Sequence, residues 1–108
     1  AIDSGIARDK IIIDPGIGIA KTAPQSMALL QRISELQALK LPMLVGVSRK
    51  SFMTPILDKK HPLERIWGTG AACYGAICRG ADILRVLDVA QMYDICRIAD
   101  AIERNVVR

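Results

Sequence analysis

An α/β fold with the order β-α-β-α-β-α and parallel strands is what this sequence predicts, and three observations predict it. Three short apolar runs, "KIIID" (10–14), "LPMLVGV" (41–47) and "ADILRVLDV" (81–89), are continuous rather than alternating. Such runs suit strands buried on both faces, as in a parallel sheet. Each run is followed by a stretch whose apolar residues recur at helical spacing. The units also repeat evenly, with Asp14 and Ser48 34 positions apart and Ser48 and Arg85 37 apart. One βα unit of a barrel or of a doubly wound sheet has this length. Helical solenoids share the period but lack the strand runs.

The first strand, 10–14, is ended by Pro15 and Gly16. Residues 23–40 then place Met27, Leu30, Ile33 and Leu36 or Leu39 on one stripe, with Gln31, Arg32 and Glu35 largely outside it. Thr22 is placed to cap this helix, and Pro24 falls in its first turn. The second strand, 41–47, opens into "SRKSF" (48–52). "TPILDKKHP" (54–62) is the most loop-like insertion, and "FMTPILD" has room for a short helical turn. Residues 62–80 carry Ala71, Ala72, Gly75 and Ala76, small enough to let a helix sit close against a sheet, and Gly80 stops it. The third strand, 81–89, leads to a last helix over 90–107, with Met92, Ile95, Ile98, Ala99 and Ile102 on one side.

Composition narrows the function. Hydrophobic residues make up 51% of the 108 and charged residues 24%, which describes one small globular domain. Cys73, Cys78 and Cys96 are odd in number and unpaired in spacing, as expected for buried thiols in a reducing compartment. His61 is the only histidine, so no metal site is expected. The net charge is +4, from 15 Lys and Arg against 11 Asp and Glu. The cations are scattered (Arg8, Lys10, Lys21, Arg32, Lys40, Arg49, Lys50, Lys59, Lys60), and aromatics are only 4%. This argues against nucleic acid and fits an anionic small molecule. No run reaches the ~18 apolar residues of a membrane span, and no signal peptide opens the chain. A cytoplasmic or organelle-matrix location is therefore expected.

In a parallel α/β array the C-terminal ends of the strands share one rim, where ligands bind. Here each exit is polar: Asp14 on the first strand, Ser48-Arg49-Lys50-Ser51 on the second, Arg85 and Asp88 on the third. Each has a plainer reading. Asp14 before Pro-Gly also starts a turn, Arg49 and Lys50 also suit a solvated loop, and Ser51 also suits a helix cap. Arg85 is the sharpest, since "ILRVLDV" calls for an apolar residue there. Its guanidinium must reach the rim, an anionic ligand, or a partner such as Asp88 or Asp14. "DPGIGIAKT" (14–22) does not supply the G-x-x-x-x-G-K-[ST] of a phosphate loop.

"IIIDPGIGIAKT", "LPMLVGVSRKSF" and "GADILRVLDV", in this order, resemble the last three βα units of dihydropteroate synthase, a (β/α)8-barrel (TIM barrel) enzyme of folate synthesis. "GIARDKIIIDPGIG" and "RIWGTGAACYGAICRGADILRV" extend the similarity over nearly the whole chain. The resemblance implies that residues 1–108 are the C-terminal part of a pterin-binding barrel. That enzyme joins 4-aminobenzoate to 6-hydroxymethyl-7,8-dihydropterin diphosphate, releasing pyrophosphate and forming 7,8-dihydropteroate. By the same resemblance, Asp14 would bind ring nitrogens of the pterin. Lys50 would hydrogen-bond the ring and stabilise it as the C–O bond breaks. Ser51 would receive the aminobenzoate carboxylate. Arg85 would flank the pterin and face the diphosphate, with Val86 and Leu87 beside it in the substrate site.

The sequence departs from the family at two places. Its third motif usually reads Arg-x-His-Asp, and Leu87 stands where the His would donate a hydrogen bond on the diphosphate side. Ile19 stands where "GIGF" has Phe near the aminobenzoate. The Mg2+ expected in the intact family has its ligand outside this chain, so no metal ligand is expected among these residues. Three units cannot close a barrel, and open edges and bare apolar faces are expected. The chain alone is therefore expected to be inactive, needing the remainder of the barrel within a homodimeric parent. Two alternatives stay open: a non-catalytic pterin- or anion-binding paralogue, and the pterin-binding domain of a corrinoid methyltransferase, against which "SRKSF" speaks.

Overall fold

The structure, a computed structural model, describes residues 2–19, 21–58 and 61–105, with Ile2 and Pro62 described by their backbone alone. Its elements are α1 (Ala23–Arg32), β1 (Leu44–Val45), α2 (Thr54–Leu57), α3 (Ile66–Cys78), β2 (Ile83–Leu84) and α4 (Val89–Glu103), joined by 3-10 turns. The strands pair in parallel, Leu44 opposite Ile83 and Val45 opposite Leu84. The first expected strand is reduced to one parallel bridge between Ile13 and Met43. Its two bonds run from Ile13 N to Pro42 O (2.9 Å) and from Leu44 N to Ile13 O (2.8 Å). The three segments therefore lie side by side in chain order and point the same way. They are shorter than the apolar runs because a strand needs neighbours to extend its ladder, and Pro15 and Pro42 each lack a donor.

Burial on both faces, as expected from the runs, is not what the strands show. Met43, Val45 and Val47 are fully buried against the helices together with Ile17, Ile33 and Cys73. The alternate residues turn to the opposite face, which no layer covers among the described residues. There Ile12 is 55% and Ile83 38% exposed. Arg85 shares this face with Ile83, which explains a cation inside an apolar run.

The helices begin as their caps dictate. Thr22 and Gln25 form a capping box, Thr22 Oγ1 accepting from Gln25 N at 3.3 Å and Gln25 Oε1 from Thr22 N at 2.9 Å. The α-helix expected over 23–40 stops at Arg32 and continues as a 3-10 helix, Ile33–Leu39. Three residues per turn keep Ile33, Leu36 and Leu39 on one line, Ile33 wholly buried and Leu39 half exposed. α3 is preceded by a 3-10 turn, Pro62–Arg65. It ends in a Schellman motif: Ala81 N donates to Ala76 O, and Gly80 N to Ile77 O, with Gly80 at φ +105°. The small residues of α3 serve helix contacts as well as the sheet. A Cβ on Gly68 would fall 2.5 Å from Leu57 Cδ1 of α2, and one on Gly70 would meet Ile95 Cδ1 of α4 at 3.4 Å.

Two further expectations need correction. In α4, Met92 and Ala99 are buried and Ile95 packs against the core, but Ile98 and Ile102 are 61% and 64% exposed. Among the described residues α4 packs chiefly on α3, so its other flank is bare. Of the three thiols only Cys73 is buried, while Cys78 is exposed at the end of α3. "FMTPILD" does hold helical turns, Ser51–Met53 and α2. Lys59, Lys60 and positions 106–107 of the expected last helix lie outside the described residues. Among the described residues no helix is long and apolar enough to cross a membrane.

Candidate functional site

The exits of the three strand segments surround a cleft of about 330 Å³. Five residues expected at a site line it together: Asp14, Lys50, Arg85, Val86 and Leu87. Ile19, Leu44, Gly46 and Ser48 complete the lining. A second cavity, about 350 Å³ between α1, α2 and α3, is apolar except for Gln31 and Arg79 and lies apart from these residues. The choice between the two rests on chemistry, since only the first gathers opposite charges at a strand rim.

Asp14 leaves the bridge residue Ile13 and folds back on its own loop, Oδ1 accepting from Gly16 N at 2.8 Å. This Asx turn is the plainer reading of Asp14, and it also fixes the carboxylate at the cleft. Lys50 crosses from the loop after β1 and donates its ammonium to Ile17 O. Its stem lies on Gly18, where a Cβ would stand 2.9 Å from Lys50 Cδ. Gly46 gives room on the other side, since a Cβ there would meet Lys50 Nζ at 3.8 Å and Arg85 Cβ at 3.7 Å. Burial holds the Lys50 ammonium below its ordinary range, Asp14 opposing this and Arg85 and Lys21 adding to it. Gly18 N in turn donates to the wholly buried Ser26 Oγ at 3.1 Å, so α1 steadies the loop on which Lys50 rests.

Arg85 is held by its backbone, Arg85 N donating to Val45 O at 3.1 Å. Its side chain is exposed at the cleft and, among the described residues, joins no ion pair. The alternative of pairing with Asp88 or Asp14 is therefore not taken. Asp88 instead takes Arg49, with Nε donating to Oδ2 at 2.9 Å and Nη2 to Oδ1. Arg49, expected as a rim cation, is turned into this pair and away from the cleft lining. The hydrogen bond and charge of each partner raise the Arg49 pKa and lower that of Asp88. Ser48 Oγ accepts from Leu87 N at 3.1 Å and ties the same two loops. Ser51 is exposed at the start of its 3-10 turn, next in sequence to Lys50 but outside the lining.

Leu44 and Gly46 were not legible as site residues, although their alternation with Val45 and their pairing with the Arg85 strand would have placed them. Thr69 of α3 and Arg65 of the turn before it, which hold the Arg49 backbone, left no signal beyond polar residues among apolar ones. Among the described residues there is no group of three or more His, Cys, Asp or Glu that could hold a metal ion.

A family model for pterin binding enzymes matches residues 1–87. The dihydropteroate synthase of Synechocystis sp. is 56% identical over 100 residues, which is 93% of this chain and 35% of that protein. The folic acid synthesis protein fol1 of Pneumocystis carinii is 46% identical over 107 residues, 95% of this chain and 14% of that protein. A crystal structure of the Clostridium difficile dihydropteroate synthase, determined in the presence of pteroic acid, matches at a TM-score of 0.91 and 39% identity. It covers 96% of this chain and 39% of the other. The chain spans about a third of the length of the Synechocystis relative and less of the fungal one. Matched over most of its length, the chain belongs to the pterin-binding enzyme family.

Proposed function

We propose that residues 1–108 are the C-terminal three βα units of a (β/α)8 pterin-binding barrel and that the parent is a dihydropteroate synthase. The observation that carries this reading is the cleft in which Asp14, Lys50 and Arg85, far apart in sequence, meet at one strand rim. In this reading the Asp14 carboxylate accepts N–H bonds from the pterin ring. Lys50 leaves Ile17 O to bond the ring, and the Arg85 guanidinium lies along it toward the diphosphate. Val86 and Leu87 form the wall beside it. Ser51, exposed beside Lys50, receives the 4-aminobenzoate carboxylate. The aminobenzoate nitrogen displaces pyrophosphate, so no protein nucleophile is required. The leaving group gains charge as it departs, and fixed cations then stabilise the transition state more than the ground state.

The Mg2+ of the family would be held outside these residues. The 108-residue chain alone is inactive, because an open face carrying Ile12, Ile83 and Arg85 needs the rest of the barrel. The parent is a cytoplasmic or organelle-matrix homodimer, and the bare apolar flank of α4 at Ile98 and Ile102 supports an apposed surface. Leu87, 68% exposed at the cleft, favours one second reading, a pterin binder that has lost synthesis. Calorimetry on the full-length parent separates the two. Tighter binding of the pterin diphosphate than of the unphosphorylated pterin, with formation of dihydropteroate, supports the synthase. Equal affinities and no product support the binder. Leu87→His then raises diphosphate affinity if Leu87 is a lesion.

A further inference from the structure

Arg49 is the residue whose placement departs most from its sequence reading, and its surroundings are built with unusual completeness. Its φ is +54°, a left-handed conformation that costs a non-glycine residue about 1 kcal/mol or more. Three contacts hold it there. Arg49 N donates to Oγ1 of the wholly buried Thr69 at 2.8 Å. Arg49 O accepts from Nη1 of the buried Arg65, also at 2.8 Å. Its guanidinium forks onto the Asp88 carboxylate 39 positions away. Both backbone polar groups of Arg49 and its side chain are thus engaged by α3, by the turn before it and by the exit of β2. Lys50 follows directly, and Arg85 precedes Asp88 by three positions.

We infer that Arg49, Asp88, Thr69 and Arg65 form a latch that sets the spacing between Lys50 and Arg85 across the cleft, acting as positioning residues for the two cations. The inference rests on the reading of the cleft as a pterin diphosphate site, and it adds what fixes that site. A planar guanidinium fork on a carboxylate specifies orientation as well as distance, which a point charge does not. On either side of the positive φ at Arg49, Val47 is buried in the core and Lys50 reaches Ile17 O. Without these pins the residue would relax to a more favourable φ, and Lys50 would swing with it. Ser48, bonded to Leu87 N, lies between the same loops and cannot by itself impose the twist, since its partner is a single N–H.

A double-mutant cycle in the full-length parent tests this, with 6-hydroxymethyl-7,8-dihydropterin diphosphate as the calorimetric probe. Asp88→Asn is expected to weaken binding roughly tenfold, the loss that follows when one charge-assisted hydrogen bond to the ligand is misaligned. If Asp88 acts through Lys50, Asp88→Asn adds little further loss in a Lys50→Met background. Thr69→Val should behave like Asp88→Asn, and Thr69→Ser, which keeps the hydroxyl, should restore binding. Full additivity of Asp88→Asn and Lys50→Met, or wild-type affinity in Asp88→Asn, overturns the latch. Hydrogen exchange reads the latch without ligand: the Arg49 amide should exchange at least roughly tenfold faster in Asp88→Asn and in Thr69→Val. Unchanged protection also overturns it. A parent that binds no pterin yet shows the faster exchange keeps the latch and removes the functional reading, so the two fail separately.

Discussion

Replacing Gly18 with alanine removes no functional group, yet it is expected to disable Lys50. The new Cβ would stand 2.9 Å from Lys50 Cδ, against 3.4–4 Å for ordinary contact. The Cβ and Cγ of Lys50 would lie at 3.7 and 3.8 Å, so the pressure falls on the outer stem alone. That stem turns aside and carries the ammonium off Ile17 O and out of the cleft. Gly18 also sits at φ +78°, which costs an L-residue about 1–2 kcal/mol in fold stability. One charge-assisted hydrogen bond contributes about 1.5–3 kcal/mol. Losing it at ~1.4 kcal/mol per decade weakens pterin diphosphate binding by about ten- to a hundredfold. Gly5→Ala is the control: φ is +91° and nothing lies within 4 Å of the added carbon, so it bears the backbone cost without touching Lys50. Calorimetry on the two variants of the full-length parent, with thermal melts alongside, checks the argument. Wild-type affinity in Gly18→Ala, or an equal loss in Gly5→Ala, would refute it.

Two other outcomes follow from the same structure. Asp88 is held below its ordinary 3.8, first by the hydrogen bond from Arg49, with partial burial opposing and the Arg49 charge assisting. The folded state therefore binds fewer protons there than the unfolded state, so the pair stabilises the fold above about pH 4 and this is lost as pH falls through the folded value. Acid melts of wild type and Asp88→Asn should converge as pH drops from 5 toward about 2, and parallel curves would show that the pair carries no linked proton. At the far end of α3, Glu103 Oε1 accepts from Tyr74 Oη at 2.8 Å and from Cys78 Sγ at 3.2 Å. Tyr74 is pushed up to about 12, chiefly by its bond to Glu103, and Cys78 is raised by burial and then by Glu103. Glu103→Gln should therefore speed alkylation of Cys78 by iodoacetamide near pH 8, where more thiolate forms. An unchanged rate would mean that the carboxylate does not restrain the thiol.

What the chain determined unaided is what local chemistry decides. Thr22 and Gln25 can cap a helix wherever it lies, Gly80 can end one at positive φ, and three apolar runs spaced by helices can only alternate β and α. The polarity of the strand exits was likewise written in order, which singled out Asp14, Lys50 and Arg85 but equally Arg49 and Ser51, which lie outside the cleft lining. The tertiary structure decided which neighbours each group meets. Whether a strand extends depends on a partner segment, so "KIIID" became a single bridge. Whether Arg49 faces a ligand or a carboxylate depends on the distance to Asp88, 39 positions away, and on two side chains of another segment. Ile98 reads as core by its periodicity and lies bare because, among the described residues, α4 packs chiefly on α3 by its other side. Periodicity and capping act over one or two turns of chain, whereas a cleft is set by contacts between segments that the linear order does not rank.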